Sequence, residues 1–143
     1  MPDSKAAMAC VQKFWDAVNT RNFDACEATM SPDIVRIGPQ LQSEQDIARG
    51  RKAYGDFIRK VISAMPSYHN VTHELVATPD GKRVYIHCTE WSAPGAGSST
   101  EVEVPLVMIC HIDDNTQISK IDLYWKTPKV SVGWTEAAKI AAS

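Results

Sequence analysis

The stretch His69-Asn70-Val71-Thr72-His73-Glu74-Leu75-Val76-Ala77, followed beyond Asp80-Gly81 by Val84-Tyr85-Ile86-His87-Cys88-Thr89-Glu90-Trp91, reads as a β-hairpin. Its first arm alternates with period two, so Val71, Leu75 and Ala77 share a side with His73 while Thr72 and Glu74 point the other way. Asp-Gly supplies the positive φ that a tight two-residue turn needs, which places the reversal at Asp80-Gly81. That register sets Ala77 against Val84, Leu75 against Ile86, His73 against Cys88 and Val71 against Glu90, with Tyr85, His87 and Thr89 on the opposite face. Directly opposed residues have Cβ atoms ~4.5 to 5.5 Å apart, so imidazole, thiol and carboxylate would meet in one small cavity. A proton-handling pocket is the expectation, with His73 and Glu90 as its catalytic pair. The assignment turns on register, because a bulge or a longer turn would exchange the two faces.

Each of the three residues has a plainer role to set beside this one. A histidine on an apolar strand face is often a satisfied core residue, and a cysteine there behaves as a small hydrophobe. Glu90 is different in kind, because a carboxylate that faces a core requires a partner or a raised pKa.

Working outward, Ser4 is a plausible cap for a first helix running to about Asn19, with Met8, Val11, Phe14, Trp15 and Val18 at three- and four-residue steps. A shorter amphipathic segment, Phe23 to Met30, ends at Ser31-Pro32-Asp33, and a strand follows from Asp33 to Gly38. Residues 39 to 49 read as a polar loop able to flank a site. Gly50 to Met65 reads as a third helix, with Tyr54, Phe57, Ile58, Val61 and Ile62 as its stripe and Pro66 as its stop. After the hairpin, Pro94 to Ser99 is loop and Glu101 to Asp113 a long strand. In that strand Val102, Val104, Leu106, Met108 and Cys110 share one face, and Val107 and Ile109 lie on the other. Ile118 to Trp125 forms a last strand, and the Ala-rich tail from Val130, with Trp134, reads as a closing helix. Helices followed by a strand-rich half predict an α+β domain, a curved antiparallel sheet wrapped around three helices, with a concave interior suited to a small molecule. The apolar residues on the outer sheet face predict a homodimer through that face.

Composition narrows the function. With 143 residues, 44% of them hydrophobic, the chain suits one domain with a real core. The formal charge of −2 and the lack of a basic run argue against a nucleic-acid partner. Cys10, Cys26, Cys88 and Cys110 lack the paired spacing of a zinc site or a redox dithiol. His69 and His73 have metal-pair spacing for a helix but lie on a strand, so no metal and no cofactor is expected. No signal peptide or membrane span is evident, and a cytoplasmic location is the expectation.

The segments Val11-Gln12-Lys13-Phe14-Trp15-Asp16-Ala17-Val18-Asn19, Phe23-Asp24-Ala25 and Ser31-Pro32-Asp33-Ile34-Val35 resemble the opening of nuclear transport factor 2-like proteins, the SnoaL-like and ketosteroid-isomerase-like superfamily. Asp80-Gly81-Lys82-Arg83-Val84 and Ile118-Ser119-Lys120-Ile121 resemble its later strand starts. The resemblance implies a cone-shaped fold that hosts isomerases, dehydratases, cyclases, epoxide hydrolases and non-catalytic binders. Phe14, Met108 and Gly38 stand where ketosteroid isomerases carry their oxyanion-binding and proton-moving residues, so that chemistry is absent in its usual form. Glu90, Cys88, Leu123, Arg36 and Gly38 stand where limonene-epoxide-hydrolase-like enzymes carry an Asp-Arg-Asp set with Tyr and Asn, and one acid remains. Thr72-His73-Glu74-Leu75 resembles the segment that carries the histidine of scytalone-dehydratase-like members, whose helix-end aspartate is Asn19 here.

The expected activity is therefore acid/base catalysis without a cofactor, as a lyase, isomerase or cyclase acting on a hydrophobic oxygenated molecule such as a polyketide, terpenoid or steroid-like compound. The alternatives are epoxide hydrolysis and a non-catalytic binding or dimeric scaffold role. Arg36, Trp15, Tyr54, Cys88 and Met108 are the expected substrate contacts, Arg36 as the charge that neutralises Glu90 or steadies an oxyanion.

Overall fold

The structure is a computed structural model that describes residues 3–39, 44–92, 102–126 and 141–142. The first helix, α1 (Ser4–Asn19), is capped one residue earlier than the sequence suggests, by Asp3, whose carboxylate accepts from the Ala6 N–H at 2.7 Å. Helix α2 (Phe23–Ala28) follows a reversal in which Arg21 takes a positive φ of 61°. Strand β1 (Met30–Ile37) begins earlier than expected. Within the stretch expected to be loop, a 3-10 turn (Glu44–Asp46) leads into a short strand, β2 (Ile47–Arg49). Helix α3 (Arg51–Ala64), β3 (His69–Ala77), β4 (Arg83–Ser92), β5 (Val102–Ile112) and β6 (Ile118–Trp125) complete the order. Of the expected closing helix from Val130 only Ala141 and Ala142 are described, and both are helical; the loop from Pro94 to Ser99 lies outside the described residues.

The six strands form one sheet in the order β2-β1-β6-β5-β4-β3. All neighbours are antiparallel except β1 and β6, which run parallel. The chain is α+β, a curved and unclosed sheet packed on its helices. Val11, Phe14, Trp15 and Val18 of α1 and Tyr54, Ile58 and Ile62 of α3 share one buried cluster with Ile86, Cys88, Met108, Cys110 and Ile121 of the sheet. No described helix is long and apolar enough to cross a membrane.

The hairpin departs from the expected register halfway along. Near the turn the pairing is as anticipated, Ala77 with Val84 and Leu75 with Ile86, but the register shifts between Thr72 and Glu74. Beyond that point Thr72 pairs with Cys88, Val71 with Thr89 and Asn70 with Glu90. His73 is the extra residue of a β-bulge, so every side chain from His69 to Thr72 changes face relative to an unbroken ladder. The turn also differs from the two-residue form. Gly81 donates to the Thr78 carbonyl at 2.9 Å and has φ 70°, whereas Asp80 keeps negative φ and its carboxylate accepts from the Thr78 hydroxyl and the Lys82 N–H. Asp-Gly centres the reversal as expected, through a wider loop tied by an Asx-type bond.

Candidate active site

Between α1, α3 and the inner face of the sheet lies a cavity of about 390 Å³. Phe14, Val18, Ile58, Ile62, Met108 and Leu123 give it apolar walls. Its polar wall groups include Arg36, Asp46, Tyr68 and Glu90.

Glu90 enters from β4 because the alternation of that strand buries Val84, Ile86 and Cys88 on the same side. The Tyr68 hydroxyl donates to Glu90 Oε1 at 2.9 Å. Burial raises the Glu90 pKa above the ordinary carboxylate range, opposed by the Tyr68 hydrogen bond and by the positive charge of Arg36. The Tyr68 hydroxyl is itself held far above the usual phenol range by burial and by Glu90 beside it, so it remains a donor at all working pH values.

Tyr68 precedes β3 and is fixed by the end of α1. Arg21 Nη2 donates to the carbonyls of Tyr68 at 2.7 Å and Pro66 at 3.1 Å. Two residues earlier, Asn19 holds β3 from both sides: its Nδ2 donates to the Asn70 carbonyl at 3.0 Å and its Oδ1 accepts from the Asn70 N–H at 2.8 Å. The Asn70 side chain is buried on the Glu90 side of the hairpin, and neither its Oδ1 nor its Nδ2 has a nitrogen or oxygen partner.

Arg36 reaches the cavity from β1. Its Nη1 donates to Asp46 Oδ1 at 2.9 Å and to the Asp46 carbonyl at 3.0 Å, and its guanidinium carbon lies 5.1 Å from the centre of the Phe57 ring. The pair is enclosed, the side chains of Arg36 and Asp46 being 12% and 22% exposed. Gly38 makes this approach possible, because a Cβ there would overlap the Asp46 carboxylate.

The sequence-derived candidates separate on inspection. Glu90, Arg36, Trp15, Tyr54 and Met108 all line the cavity. Trp15 packs edge-on against Phe14 at 5.1 Å, and its indole N–H is buried without an acceptor. Tyr54 is buried beside Phe14, which pushes its hydroxyl above the usual phenol range. His73 is a correction. The bulge carries it to the outer face, exposed, with Nε2 2.7 Å from the Thr89 hydroxyl and its ring 5.1 Å from that of His87. Cys88 is a second correction, since it is fully buried but is not a cavity-lining residue, and burial pushes its thiol up to about 11. Tyr68, Asn70 and Asp46 were missed. Tyr68-His69-Asn70 carries the signal in its alternation, but it assigns Tyr68 and Asn70 inward only once the bulge is known. Among the described residues no group of three or more His, Cys, Asp or Glu side chains is placed to hold a metal ion.

Comparison with known proteins places this architecture. The model of the SnoaL-like domain matches residues 11–121. No curated protein matches the chain. Among solved structures, the epoxide hydrolase/cyclase-like enzyme SalBIII, with a role in pyran ring formation in the polyether salinomycin, superposes with TM-score 0.74 at 18% identity over 86% of this chain and 92% of its own. A limonene-epoxide-hydrolase-like epoxide hydrolase of Mycobacterium tuberculosis gives TM-score 0.74 at 19% identity over 98% of both chains. A second M. tuberculosis protein, solved with estradiol-17β-hemisuccinate, gives 0.73 at 20% identity over 85% of this chain and 94% of its own. At these identities the likeness is one of fold. With the cone-shaped sheet and the matched model covering most of its length, the chain belongs to the SnoaL-like domain family of the nuclear transport factor 2-like superfamily.

Proposed function

We propose that this chain is a proton-transfer enzyme that acts on a hydrophobic, oxygenated small molecule within the cone, with Glu90 as its acid/base. One observation carries the reading: a carboxyl group in an apolar cavity, raised in pKa by burial and held at one oxygen by Tyr68. A carboxyl tuned upward can take a proton from carbon and return it to another carbon or to an oxygen, as isomerisation, elimination and cyclisation require. Tyr68 steadies the charged form and orients the group. Arg36, locked by Asp46, supplies positive charge for an oxygen that becomes negative during the reaction. Because Asp46 is committed to Arg36, Glu90 is the acid the reaction draws on, both giving and taking the proton. The apolar walls select a ligand that is mostly hydrocarbon, and the unpartnered Trp15 N–H supports an oxygen function in it.

The functional unit on this reading is a homodimer through the outer sheet face, where Val71, Val76, Tyr85, Val107 and Tyr124 are exposed.

A panel of apolar ketones, hydroxyketones and epoxides incubated in deuterated water tests the activity. Glu90→Gln should abolish deuterium incorporation or product formation while estradiol-17β-hemisuccinate, used as a fluorescence-quenching probe of the cavity, binds wild type and variant alike. Turnover that survives in Glu90→Gln overturns the proposal. Incorporation of labelled solvent oxygen from an epoxide would assign hydrolysis instead.

A further inference from the structure

We propose that Asn70 is the positioning residue of Glu90: its side-chain amide engages Oε2, the carboxyl oxygen that Tyr68 leaves unbound, donating to it when the group is ionised and accepting from it when it is protonated. The inference rests on the reading of Glu90 as the acid/base and adds to it a means of keeping the carboxyl aligned in both of its states.

The bulge at His73 sets up the arrangement. It makes Asn70 and Glu90 direct register partners, on one face of neighbouring strands. Side chains so placed start from Cβ atoms ~4.5 to 5.5 Å apart, within reach of an amide and a carboxyl by rotation about side-chain bonds alone. The backbone of Asn70 is already committed, since Asn19 satisfies both its N–H and its carbonyl. The side chain therefore has no part in anchoring the strand. Yet Asn70 is only 6% exposed, and both polar atoms of its amide lack a nitrogen or oxygen partner. Buried amides are nearly always paired, and the Cys88 thiol beside this one is a weak partner.

An amide suits the task better than other buried polar groups. It carries a donor and an acceptor at one end of a short arm, so it complements a carboxyl in either protonation state. The other groups that act on Glu90 are already engaged or carry no charge. Tyr68, from the segment leading into β3, donates to Oε1, and Arg36 from β1 is a permanent charge already paired with Asp46. Tyr54 of α3 and Cys88 of β4 are neutral, with burial holding their protons on. The faces of α1 in the cavity, Phe14, Trp15 and Val18, carry no titratable group.

Nuclear magnetic resonance on the intact chain tests this without reference to any substrate. With 13C-labelled glutamate, the Glu90 side-chain carbon, assigned by its loss in Glu90→Gln, is followed against pH. The Asn70 side-chain NH2 signals should titrate with the same midpoint in the wild type, and this dependence should vanish in Glu90→Gln. In Asn70→Leu the Glu90 midpoint should rise by about one pH unit, a tenfold change in proton affinity, because the charge-assisted bond to the ionised form is stronger than the bond from the protonated form that is lost with it. In Asn70→Asp it should rise further, two carboxyls then being side by side. Asn70 NH2 signals that ignore the Glu90 titration, or a Glu90 midpoint unchanged in folded Asn70→Leu, overturn the inference. The wild-type measurement decides the matter even where Asn70→Leu does not fold. Coupled titration together with turnover that survives in Glu90→Gln would uphold the Asn70 pairing and remove the catalytic reading.

Discussion

The Tyr68 hydroxyl donates to Glu90 Oε1 at 2.9 Å, joining the segment that enters β3 to the strand beside it inside an apolar cavity. This bond favours the ionised carboxyl, against the burial that disfavours it. Tyr68→Phe should therefore push the Glu90 pKa higher still. The limb of any pH–activity profile governed by Glu90 should move to higher pH, and a profile that moves lower or stays fixed contradicts the assignment.

Glu90 also makes stability depend on pH in a defined direction. Its folded pKa lies above the unfolded carboxylate value, so between the two the native chain holds more protons than the unfolded one. Stability is then lost as pH rises through that window. Glu90→Gln keeps the Tyr68 bond and removes the ionisation. Its melting temperature should match that of wild type near pH 4 and exceed it increasingly toward neutrality, by thermal denaturation across pH.

The Arg36–Asp46 pair is enclosed enough that separating it leaves a charge in an apolar wall. Asp46→Ala should cost about 2 kcal/mol in urea unfolding, below the cost for fully buried pairs because some solvent reaches this one. The double variant Arg36→Met with Asp46→Leu should recover most of that loss. Gly38→Ala should mimic the single variant, since its methyl group occupies the space of the Asp46 carboxylate.

Asn19 and His73 should separate cleanly in a stability and activity assay. Asn19→Ala removes both bonds to the Asn70 backbone and should cost about 2 kcal/mol. His73→Ala lies on the outer face and should leave turnover and probe binding in the cavity unchanged. A tenfold loss of activity in His73→Ala would contradict the face assignment.

If two copies pair through the outer sheet, Val107→Glu should convert a dimer to a monomer in sedimentation velocity, because a carboxylate would replace an exposed apolar side chain at the centre of that face. A wild-type chain that sediments as a monomer would dismiss the pairing.

Much of the architecture was legible because its signals are local and periodic. The stripes of α1 and α3 and the alternation of β4, β5 and β6 fix their inward faces whatever the neighbours do, and Glu90 inherits its place from β4. Arg36 likewise follows from the parity of β1. What the sequence concealed were relations between segments. The bulge at His73 runs against the alternation of β3, which groups Val71 with Leu75 and Ala77, and it sent the expected histidine outward while bringing Asn70 in. Asp46 lies in a stretch without periodicity, and its role depends on a missing side chain at Gly38. The bond from Arg21 to the Tyr68 carbonyl joins residues 47 positions apart, a distance at which no spacing rule operates.

The extra residue at position 73 acts on the cavity wall as a one-letter insertion acts on a reading frame. Everything before it along β3 is presented shifted by one, so an unbroken ladder that took His73 into the pairing would exchange the whole set: Val71 and His69 would turn inward, and Tyr68 and Asn70 out to solvent, whereas deletion of His73 would close the ladder with the observed pairing intact. A scaffold of this kind sets the contents of its interior by which residue is left out of the pairing, and it can lose that residue without disturbing them.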